Sequence, residues 1–399
     1  MAEPGFSGPA IPLARWADRQ LRLLAQETGA AAHRELTGQT LLGERGSANG
    51  YTINGRISAG VGGSRLMPTR DGGWLALTLL RAEDRALLPA LFGHDGFDLS
   101  DPDAIAAEVV QHDGAELVAR GRLLGLPVAS ADEVPVSPPV EVLTEGPRRQ
   151  REAGRPPVVI DLSAIWAGPL IGHLLWLAGA EVTKVESLTR PDLIRRDDPR
   201  TFDLINQGKA NVLIDFADPA QKAVLVEHIR AADIVIESSR VRALRQLGID
   251  AAALVAETPG LVWLSVTGHG ARGEAAGWAG IGNDCGVAAG LSRALADVCG
   301  EIGYVGDAIA DPLTGITGAR AAWTAWREGR ACRIGLAMSA IAARALAEER
   351  AFDRALLDAE LRGWGAAAAG PFPTVPARAM RAPVRAPGAD NRDWGLPPC

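Results

Sequence analysis

Two aspartates near position 310 are the residues whose type and spacing best suit covalent chemistry. Asp307 and Asp311 lie about one helical turn apart, and Asp311 is followed directly by Pro312 and, four residues on, by Gly315. Asp before Pro is typical of a helix N-cap, which is the ordinary interpretation of Asp311. A carboxylate at a helix N-terminus is also stabilised as the anion, the form that a nucleophile needs. The sequence therefore predicts a helix start at which Asp311 can act as a nucleophile, with Asp307 as its rival.

Other residues that could contact a ligand fall in segments with loop character. A glycine cluster allows close approach of backbone to a ligand, although it is also typical of an ordinary turn before a strand: Gly60, Gly62 and Gly63. Three arginines follow an apolar segment and could bind phosphate, or could form a solvated helix face: Arg240, Arg242 and Arg245. His269, between two glycines, is more typical of a loop residue than of a general base.

The elements that must position these residues form an alternating pattern in the second part of the chain. Short apolar strands and amphipathic helices are predicted at Val158–Leu162, Ala167–Leu177, Glu181–Glu186, Asn211–Phe216, Pro219–Ala231, Asp233–Ile236 and Leu261–Val266, and a long Ala-rich helix follows Asp311. This pattern predicts an α/β fold, a doubly wound, Rossmann-like parallel sheet. Ligands bind beyond the carboxyl ends of such strands, which points to four loops: Ser163–Gly168, Glu186–Asp192, Ser238–Arg242 and Thr267–Gly273.

The first part of the chain has a different pattern. A helix is predicted over Ile11–Thr28, a strand around Trp74–Thr78, and helices near Ala82–Leu91 and Asp103–Leu124. We therefore predict a small α+β domain over residues 1–132, a Pro- and Arg-rich linker over 133–157, and a larger ligand-binding domain with an extended tail over 158–399.

Composition and charge exclude several classes of protein. The net charge of −7 disfavours nucleic acid and anionic membranes as partners. We expect no membrane span and no secretory signal, because no apolar run is long enough and the first residues lack a basic, apolar leader. The four cysteines show no metal-binding spacing, so we predict no metal site and reduced thiols in a cytoplasmic protein. Abundant Ala, Gly and Arg with only three lysines favour a GC-rich bacterial source.

Taken in order, the motifs of the second part resemble the family III CoA-transferases, which include formyl-CoA transferase, carnitine dehydratase-like proteins and α-methylacyl-CoA racemase. The resemblance covers about residues 157–340 and rests on six blocks, none of which is specific alone. They are Asp161–Pro169, Leu177–Glu186, Asn206–Asp215, Ala232–Glu237, Ser265–Gly270 and Gly306–Gly315. The resemblance implies a Rossmann-like domain that binds coenzyme A as a substrate, with no permanently bound cofactor.

The resemblance also assigns roles to individual residues. Asp311 matches the family's catalytic aspartate, and the glycine cluster resembles the mobile loop that covers it in formyl-CoA transferase. The residues that the matched blocks and neighbouring loops imply for CoA binding are Trp166, Ala167, Gly168, Lys209, Ser238, Arg240, Arg245 and Asn283. Trp166 could line the acyl pocket or belong to the core, and Lys209 could be a solvated loop residue. Asn283 and Asp284 stand near the place where the racemase branch has a His-Asp pair.

The first part resembles the family's small domain, which in most members follows the catalytic half. We therefore infer a relocated small domain that brings the glycine cluster over Asp311. The resemblance implies a homodimer, and a relocated domain alone would expose apolar side chains such as Leu75, Leu77 and Leu79.

The function that the resemblance implies is transfer of CoA from an acyl-CoA thioester to a free carboxylic acid through covalent intermediates on Asp311. Two alternatives stay open at this point. One is a 2-methylacyl-CoA racemase or isomerase, which removes and returns an α-proton with two bases. The other is a non-catalytic relative that binds acyl-CoA.

Overall fold

The computed structural model describes residues 5–59, 63–152, 154–240 and 242–398. Its strands are β1 (Ser64–Pro68), β2 (Trp74–Thr78), β3 (Val128–Ser130), β4 (Val140–Gly146), β5 (Val158–Asp161), β6 (Glu181–Ser187), β7 (Ala210–Ile214), β8 (Ile234–Glu237), β9 (Val262–Thr267) and β10 (Ala331–Ala337). Its helices before the large sheet are α1 (Ala14–Thr28), α2 (Ala31–Arg34), α3 (Gly38–Ala48), α4 (Ala82–Ala86), α5 (Leu88–Phe92), α6 (Pro102–Val109) and α7 (Gly114–Leu124). The remaining helices are α8 (Ala167–Leu177), α9 (Ile194–Asp197), α10 (Pro199–Asn206), α11 (Pro219–Ala231), α12 (Ala243–Gln246), α13 (Ala251–Glu257), α14 (Gly282–Ala288), α15 (Leu291–Cys299), α16 (Ala310–Arg327) and α17 (Met338–Ala366).

A seven-stranded sheet forms the centre of the molecule, in the order β4-β10-β9-β8-β5-β6-β7. All neighbours pair in parallel except β4, which is antiparallel to β10. The inner strands are apolar and buried because helices cover both faces, as expected for parallel strands. The predicted doubly wound α/β fold is therefore confirmed, and the strands and helices predicted from residue 158 to 266 form within two or three residues of their predicted ends.

A second, three-stranded antiparallel sheet has the order β1-β2-β3. Helices α5 to α7 pack on one face of it, and Leu75 and Leu77 are buried in the resulting core. The expectation that Leu75 and Leu77 are exposed, which supported a dimer, is therefore wrong: the helices of the same segment cover them. The homodimer itself stays a prediction.

The middle of the predicted linker, residues 133–157, is not a linker but a strand of the large sheet. Residues Val140–Gly146 form strand β4, which pairs with β10 at one edge of the large sheet. Val142 and Glu145 are exposed and the other residues of this strand are partly buried, as expected for a strand at the edge of a sheet. The sequence prediction missed it because the flanking prolines and arginines dominate the local composition.

The N-terminal helices pack on the large sheet's helices. Trp16, Leu24 and Leu41 are buried in the same apolar core as Leu170 of α8 and Leu313 of α16. Isolated bridges also join the N-terminal segment to the tail, between residues 7 and 374 and between 52 and 371. The boundaries proposed for the domains stay a prediction, but residues between Ile11 and Ala59 share a core with the larger part of the chain.

Helices α8 and α16 approach each other closely, which positions the aspartate at the start of α16. A Cβ placed on Gly315 would lie 2.6 Å from the Leu170 side chain, and one on Gly318 would lie 2.4 Å from Cδ1 of Ile171. Glycine at these two positions therefore allows the contact between the helices, because any larger residue would push them apart.

Candidate active site

Asp311 lies in the first turn of α16, beyond the carboxyl ends of the parallel strands. The helix is preceded by Ile309 at its N-cap, and no side chain caps it. Oδ1 of Asp311 instead accepts a hydrogen bond from the backbone N–H of Ala167, at 3.2 Å. The N-cap interpretation of Asp311 is therefore wrong, because its carboxylate is directed at residues from other elements.

A second backbone group contacts the same carboxylate. The N–H of Gly282, the first residue of α14, also donates to Asp311. A Cβ on Gly282 would lie 2.0 Å from Oδ2 of Asp311, so only glycine allows this approach. Three helix starts, those of α8, α14 and α16, thus meet at one carboxylate, where the positive ends of their dipoles favour an anion.

The surroundings of Asp311 raise the pKa of its carboxyl above the usual range. The side chain is 7% exposed, and this burial raises its pKa to about 7. Arg45 and the N–H of Ala167 act in the opposite direction, while Asp307 adds to the rise. A carboxylate with little hydration and a pKa near 7 is typical of catalytic groups.

Arg45 of α3 is the cation beside this carboxylate, and it comes from the N-terminal segment. Its Nε lies 3.1 Å from Oδ2 of Asp307, which is fully buried, and 3.7 Å from Asp198. Its guanidinium carbon lies 5.0 Å from the centre of the Trp166 ring. The sequence analysis did not identify Arg45, since it belongs to no ligand motif and reaches the site only through the packing of α3.

The loop from Ser163 to Gly168 shapes one wall of the site. Ile165 has a φ of 71°, and the hydroxyl of Ser238 accepts a hydrogen bond from the N–H of Ala164 at 3.0 Å. A Cβ on Gly168 would lie 2.3 Å from the Ser163 side chain, so the loop closes tightly on the start of α8. Ser238, predicted to contact CoA, thus already holds this loop.

Trp166, the residue before α8, is 1% exposed, and its indole N–H has no hydrogen-bond partner among the described residues. Trp166 therefore lies in the core, with the guanidinium of Arg45 over its ring, and its place in an acyl pocket stays a prediction.

Asn283 supports the turn that leads into α16. Its side-chain oxygen accepts a hydrogen bond from the N–H of Ala308 at 3.0 Å, and Ala308 has a φ of 44°. Non-glycine residues rarely adopt a positive φ, and the Asn283 contact stabilises the strained turn. In this structure, Asn283 positions the Asp311 turn.

Lys209 is held inside the protein, and its predicted contact with CoA stays a prediction. Lys209 is 2% exposed, and its ammonium donates to Asp161, to the carbonyl of Pro169 and to Asn206, at 2.8, 2.8 and 2.9 Å. Burial lowers its pKa to about 8, against the effect of Asp161. All three N–H groups of the ammonium donate to acceptors inside the protein. Through the carbonyl of Pro169, Lys209 anchors the first turn of α8.

The arginines predicted to bind phosphate lie at the surface beyond β8. Arg240 is exposed and donates to the carbonyl of Gly125, at the end of α7, at 2.9 Å. Arg245 is exposed and lies 3.7 Å from Asp250. Their role in CoA binding stays a prediction.

Of the predicted glycine loop, Gly60 and Gly62 lie outside the described residues. The carbonyl of Gly63 accepts a hydrogen bond from Leu79, and the next hydroxyl, that of Ser64, lies 2.5 Å from that of Thr78. The Thr78 hydroxyl in turn lies 3.5 Å from Oδ1 of Asp284 in α14. The end of the loop is thus connected to the helix whose first residue contacts Asp311.

A buried cluster lies behind this connection. Asp284 and Cys285 of α14 face His269 after β9, and all three are buried. Burial raises the pKa of Asp284 to about 7 and that of Cys285 well above its usual range, and it lowers the pKa of His269 to about 3. His269 lies in the loop after β9, as the sequence predicted, and its side chain is buried in the core.

Comparison with known proteins defines the class to which this fold and site belong. The sequence pattern of CoA-transferase family III matches residues 157–374, more than half of the chain. The chain belongs to this family. Among the described residues, no helix has the length and hydrophobicity needed to cross a bilayer.

Individual relatives match over shorter lengths. Succinate–glutarate CoA-transferase of Agrobacterium fabrum is 30% identical over 191 residues, 44% of this chain and 46% of the relative. Succinyl-CoA–D-citramalate CoA-transferase of Chloroflexus aurantiacus is 34% identical over 144 residues, 34% of this chain and 36% of the relative. The chain thus spans less than half the length of these curated relatives.

Among solved structures, a hypothetical protein of Mycobacterium tuberculosis is 26% identical with a TM-score of 0.45, over 49% of this chain and 59% of that one. A CAIB/BAIF family protein of Brucella suis is 26% identical with a TM-score of 0.42, over 52% and 58%.

Proposed function

We propose that this protein transfers coenzyme A from an acyl-CoA thioester to a free carboxylic acid, with Asp311 as the nucleophile. The observation that carries the proposal is the Asp311 carboxyl itself. It is buried, does not cap its helix, and accepts hydrogen bonds from the backbone N–H groups of Ala167 and Gly282. The family assignment and the names of the matched relatives, all CoA-transferases, support the same activity.

The chemistry proposed for Asp311 follows from its type and surroundings. The carboxylate attacks the thioester carbonyl, which forms a mixed anhydride and releases the CoA thiolate. The thiolate attacks the aspartyl carbonyl, which frees the first acid and leaves an aspartyl-CoA thioester. The acceptor carboxylate then attacks this thioester, and the returning thiolate completes the new acyl-CoA and regenerates Asp311. Each step exchanges one acyl bond for another, so no oxidant, reductant or net proton is required.

The surroundings of Asp311 suit this sequence of steps. The backbone N–H groups of Ala167 and Gly282 hold the attacking carboxylate in one orientation. Acyl anhydrides hydrolyse readily, so low exposure of Asp311 protects the intermediate from water. The glycine cluster at residues 60–63 is proposed to cover the carboxylate, in keeping with the connection from Ser64 through Thr78 to Asp284.

The racemase alternative requires two bases that reach the substrate α-carbon. Asn283 is an amide and takes up no proton near neutral pH. His269 is 3% exposed and lies in the core. These features favour transfer over proton exchange. A 2-methylacyl-CoA incubated in D₂O is expected to show no deuterium at the α-carbon, and deuterium without transfer would support the racemase instead.

The direct test of the nucleophile is a pair of carboxamide variants. We expect Asp311→Asn to lower the transfer rate by at least about 10³-fold, the scale of losing a covalent nucleophile. Asp307→Asn removes a neighbouring carboxylate of the same burial and is expected to have a much smaller effect. Transfer by Asp311→Asn near the wild-type rate, measured on one acyl-CoA and one acid, would remove Asp311 from the mechanism.

A further inference from the structure

The buried cluster behind the Asp311 site has the donor atoms of a metal centre. Nε2 of His269, a carboxylate oxygen of Asp284 and Sγ of Cys285 all lie within 4.8 Å of one another. Oδ2 of Asp284 is 3.8 Å from Nε2 of His269 and 3.9 Å from Sγ of Cys285. All three side chains are 3% exposed or less. The residues come from two segments fifteen positions apart, which is why their spacing in the sequence carries no metal-binding signature.

One donor of the cluster lacks a partner. Nε2 of His269 is buried and makes no hydrogen bond within the described part of the chain. An unpaired polar group in the interior costs about 1–3 kcal/mol, so such groups are rare without a reason. The atom faces the carboxylate of Asp284 at a distance too long for a hydrogen bond. A cation between the two would satisfy both.

The backbone at Gly280 lies close to the same two donors. A Cβ on Gly280 would lie 2.8 Å from Sγ of Cys285 and 3.0 Å from Nε2 of His269. Any side chain at position 280 would therefore fill the approach to both atoms. The carbonyl oxygen of Gly268 lies 3.4 Å from Sγ of Cys285 and accepts a hydrogen bond from the N–H of Ser339, which leaves its second lone pair for a role as the fourth ligand.

The donor set favours zinc among the common cations. Zinc takes sulfur at about 2.3 Å and nitrogen or oxygen at about 2.0–2.2 Å in tetrahedral sites, so neighbouring ligand atoms lie about 3.3–3.6 Å apart. The observed separations of 3.8 and 3.9 Å need to contract by only a few tenths of an ångström. A thiolate and a carboxylate together carry two negative charges, which balance Zn²⁺ in a buried site.

We propose that His269, Asp284 and Cys285 form a structural zinc site that joins the loop after β9 to α14. Binding transfers the thiol proton of Cys285, and the carboxyl proton of Asp284 where it is present, to solvent. The metal fixes the start of α14, whose Gly282 and Asn283 hold the Asp311 carboxylate and its turn. The inference does not depend on the transferase activity, because its readouts are metal content and spectroscopy.

The test uses the full chain, with zinc content measured by elemental analysis after purification and Co²⁺ added to chelator-treated protein. We expect about one metal ion per chain and a thiolate-to-cobalt charge-transfer band. Changes outside the ligand shell commonly weaken metal sites about 10- to 100-fold, so His269→Ala and Cys285→Ser should each weaken Zn²⁺ binding by at least about 100-fold.

Cys332→Ser is the matched control, because Cys332 is an equally buried free thiol in β10. Cys285→Ser should lose the charge-transfer band, and Cys332→Ser should keep it. The wild-type protein alone decides the question if a variant fails to fold: no bound zinc and no cobalt band in the folded chain would overturn the proposal. A band that survives in Cys285→Ser would also overturn it.

Discussion

The loop at residues 163–168 and the helix that carries Arg45 both reach Asp311, but they differ in how they do so. The loop follows a strand of the parallel sheet, and its position beyond the carboxyl end places Ala167 at the site by topology alone. Arg45 lies about 120 residues earlier, on α3, whose Leu41 and Leu42 are buried in the apolar core that α8 and α16 share. The local sequence pattern thus identifies residues of the site that follow strands of the sheet. It does not identify residues that only tertiary packing brings to the site.

The largest effect expected from this contrast concerns Lys209, which the family pattern presents as a ligand contact. Lys209→Met would leave the buried Asp161 carboxylate without its ion pair, so we expect a loss of about 3–5 kcal/mol in the free energy of unfolding. Urea denaturation measures it, with the partly exposed Lys222→Met as the control. Unchanged stability together with a large increase in KM for acyl-CoA would restore Lys209 to the CoA site.

The second effect tests whether the N-terminal segment belongs to the main core. Leu24 of α1 is fully buried, and we expect Leu24→Ala to lower the free energy of unfolding by about 2–5 kcal/mol. The neighbouring Leu23 is 39% exposed, so Leu23→Ala should change it by no more than about 0.5 kcal/mol. Equal, small losses from both variants would mean that α1 is only loosely attached to the rest of the chain.

The third effect concerns the charge that Arg45 supplies. The nucleophile must be ionised, so activity should rise with pH through the Asp311 pKa of about 7 and fall below it. Removing the cation raises that pKa further, because burial and Asp307 are then opposed only by the backbone N–H groups of Ala167 and Gly282. We expect Arg45→Met to move the acidic limb of kcat/KM to higher pH and, for a rise of about one pKa unit, to lower kcat/KM at about pH 6 by nearly tenfold.

Two further variants make the Arg45 experiment specific. Arg45→Lys keeps the charge and should keep most of the pH profile. Arg70→Met removes an exposed arginine paired with Asp113 in the small sheet and should leave the profile unchanged. An acidic limb in Arg45→Met that matches the wild type would contradict the assigned electrostatic role.

The smallest effect concerns the exposed arginines beyond β8. If Arg245 contacts a CoA phosphate, Arg245→Ala should raise KM for acyl-CoA about fivefold with kcat unchanged, as expected for one solvated charge contact of about 1 kcal/mol. Arg230→Ala, which removes an exposed arginine of α11, is the control. An equal KM in both variants would show that Arg245 does not contact CoA.

The sequence predicted the elements that have a clear local pattern and missed those that do not. The apolar strands from residue 158 to 266 and the helix after Asp311 were predictable, because burial on both faces of a parallel sheet imposes a clear pattern. Strand β4 was missed because prolines flank it, and the β10–α17 segment because its Ala-rich composition carries little periodicity.

At the site, Asp311 was identified through its family motif, but its surroundings were not. Lys209 pairs with Asp161, and Arg45 pairs with Asp307 beside Asp311. Asn283 accepts a hydrogen bond from Ala308 at the strained turn before α16. His269 and Asp284 meet only through the packing of α14 against the loop after β9. Such contacts join distant segments, so no local pattern in the chain reports them.

The central claim is that Asp311 forms a covalent intermediate, and peptide mass spectrometry after rapid quenching tests it most directly. The wild-type protein incubated with a panel of acyl-CoAs should carry an acyl or CoA adduct on the peptide that contains Asp311. Asp311→Asn should carry none, and Asp307→Asn should still carry it. An adduct on Asp307 or Cys285, or turnover with no adduct at any time point, would contradict the assignment of Asp311 as the nucleophile.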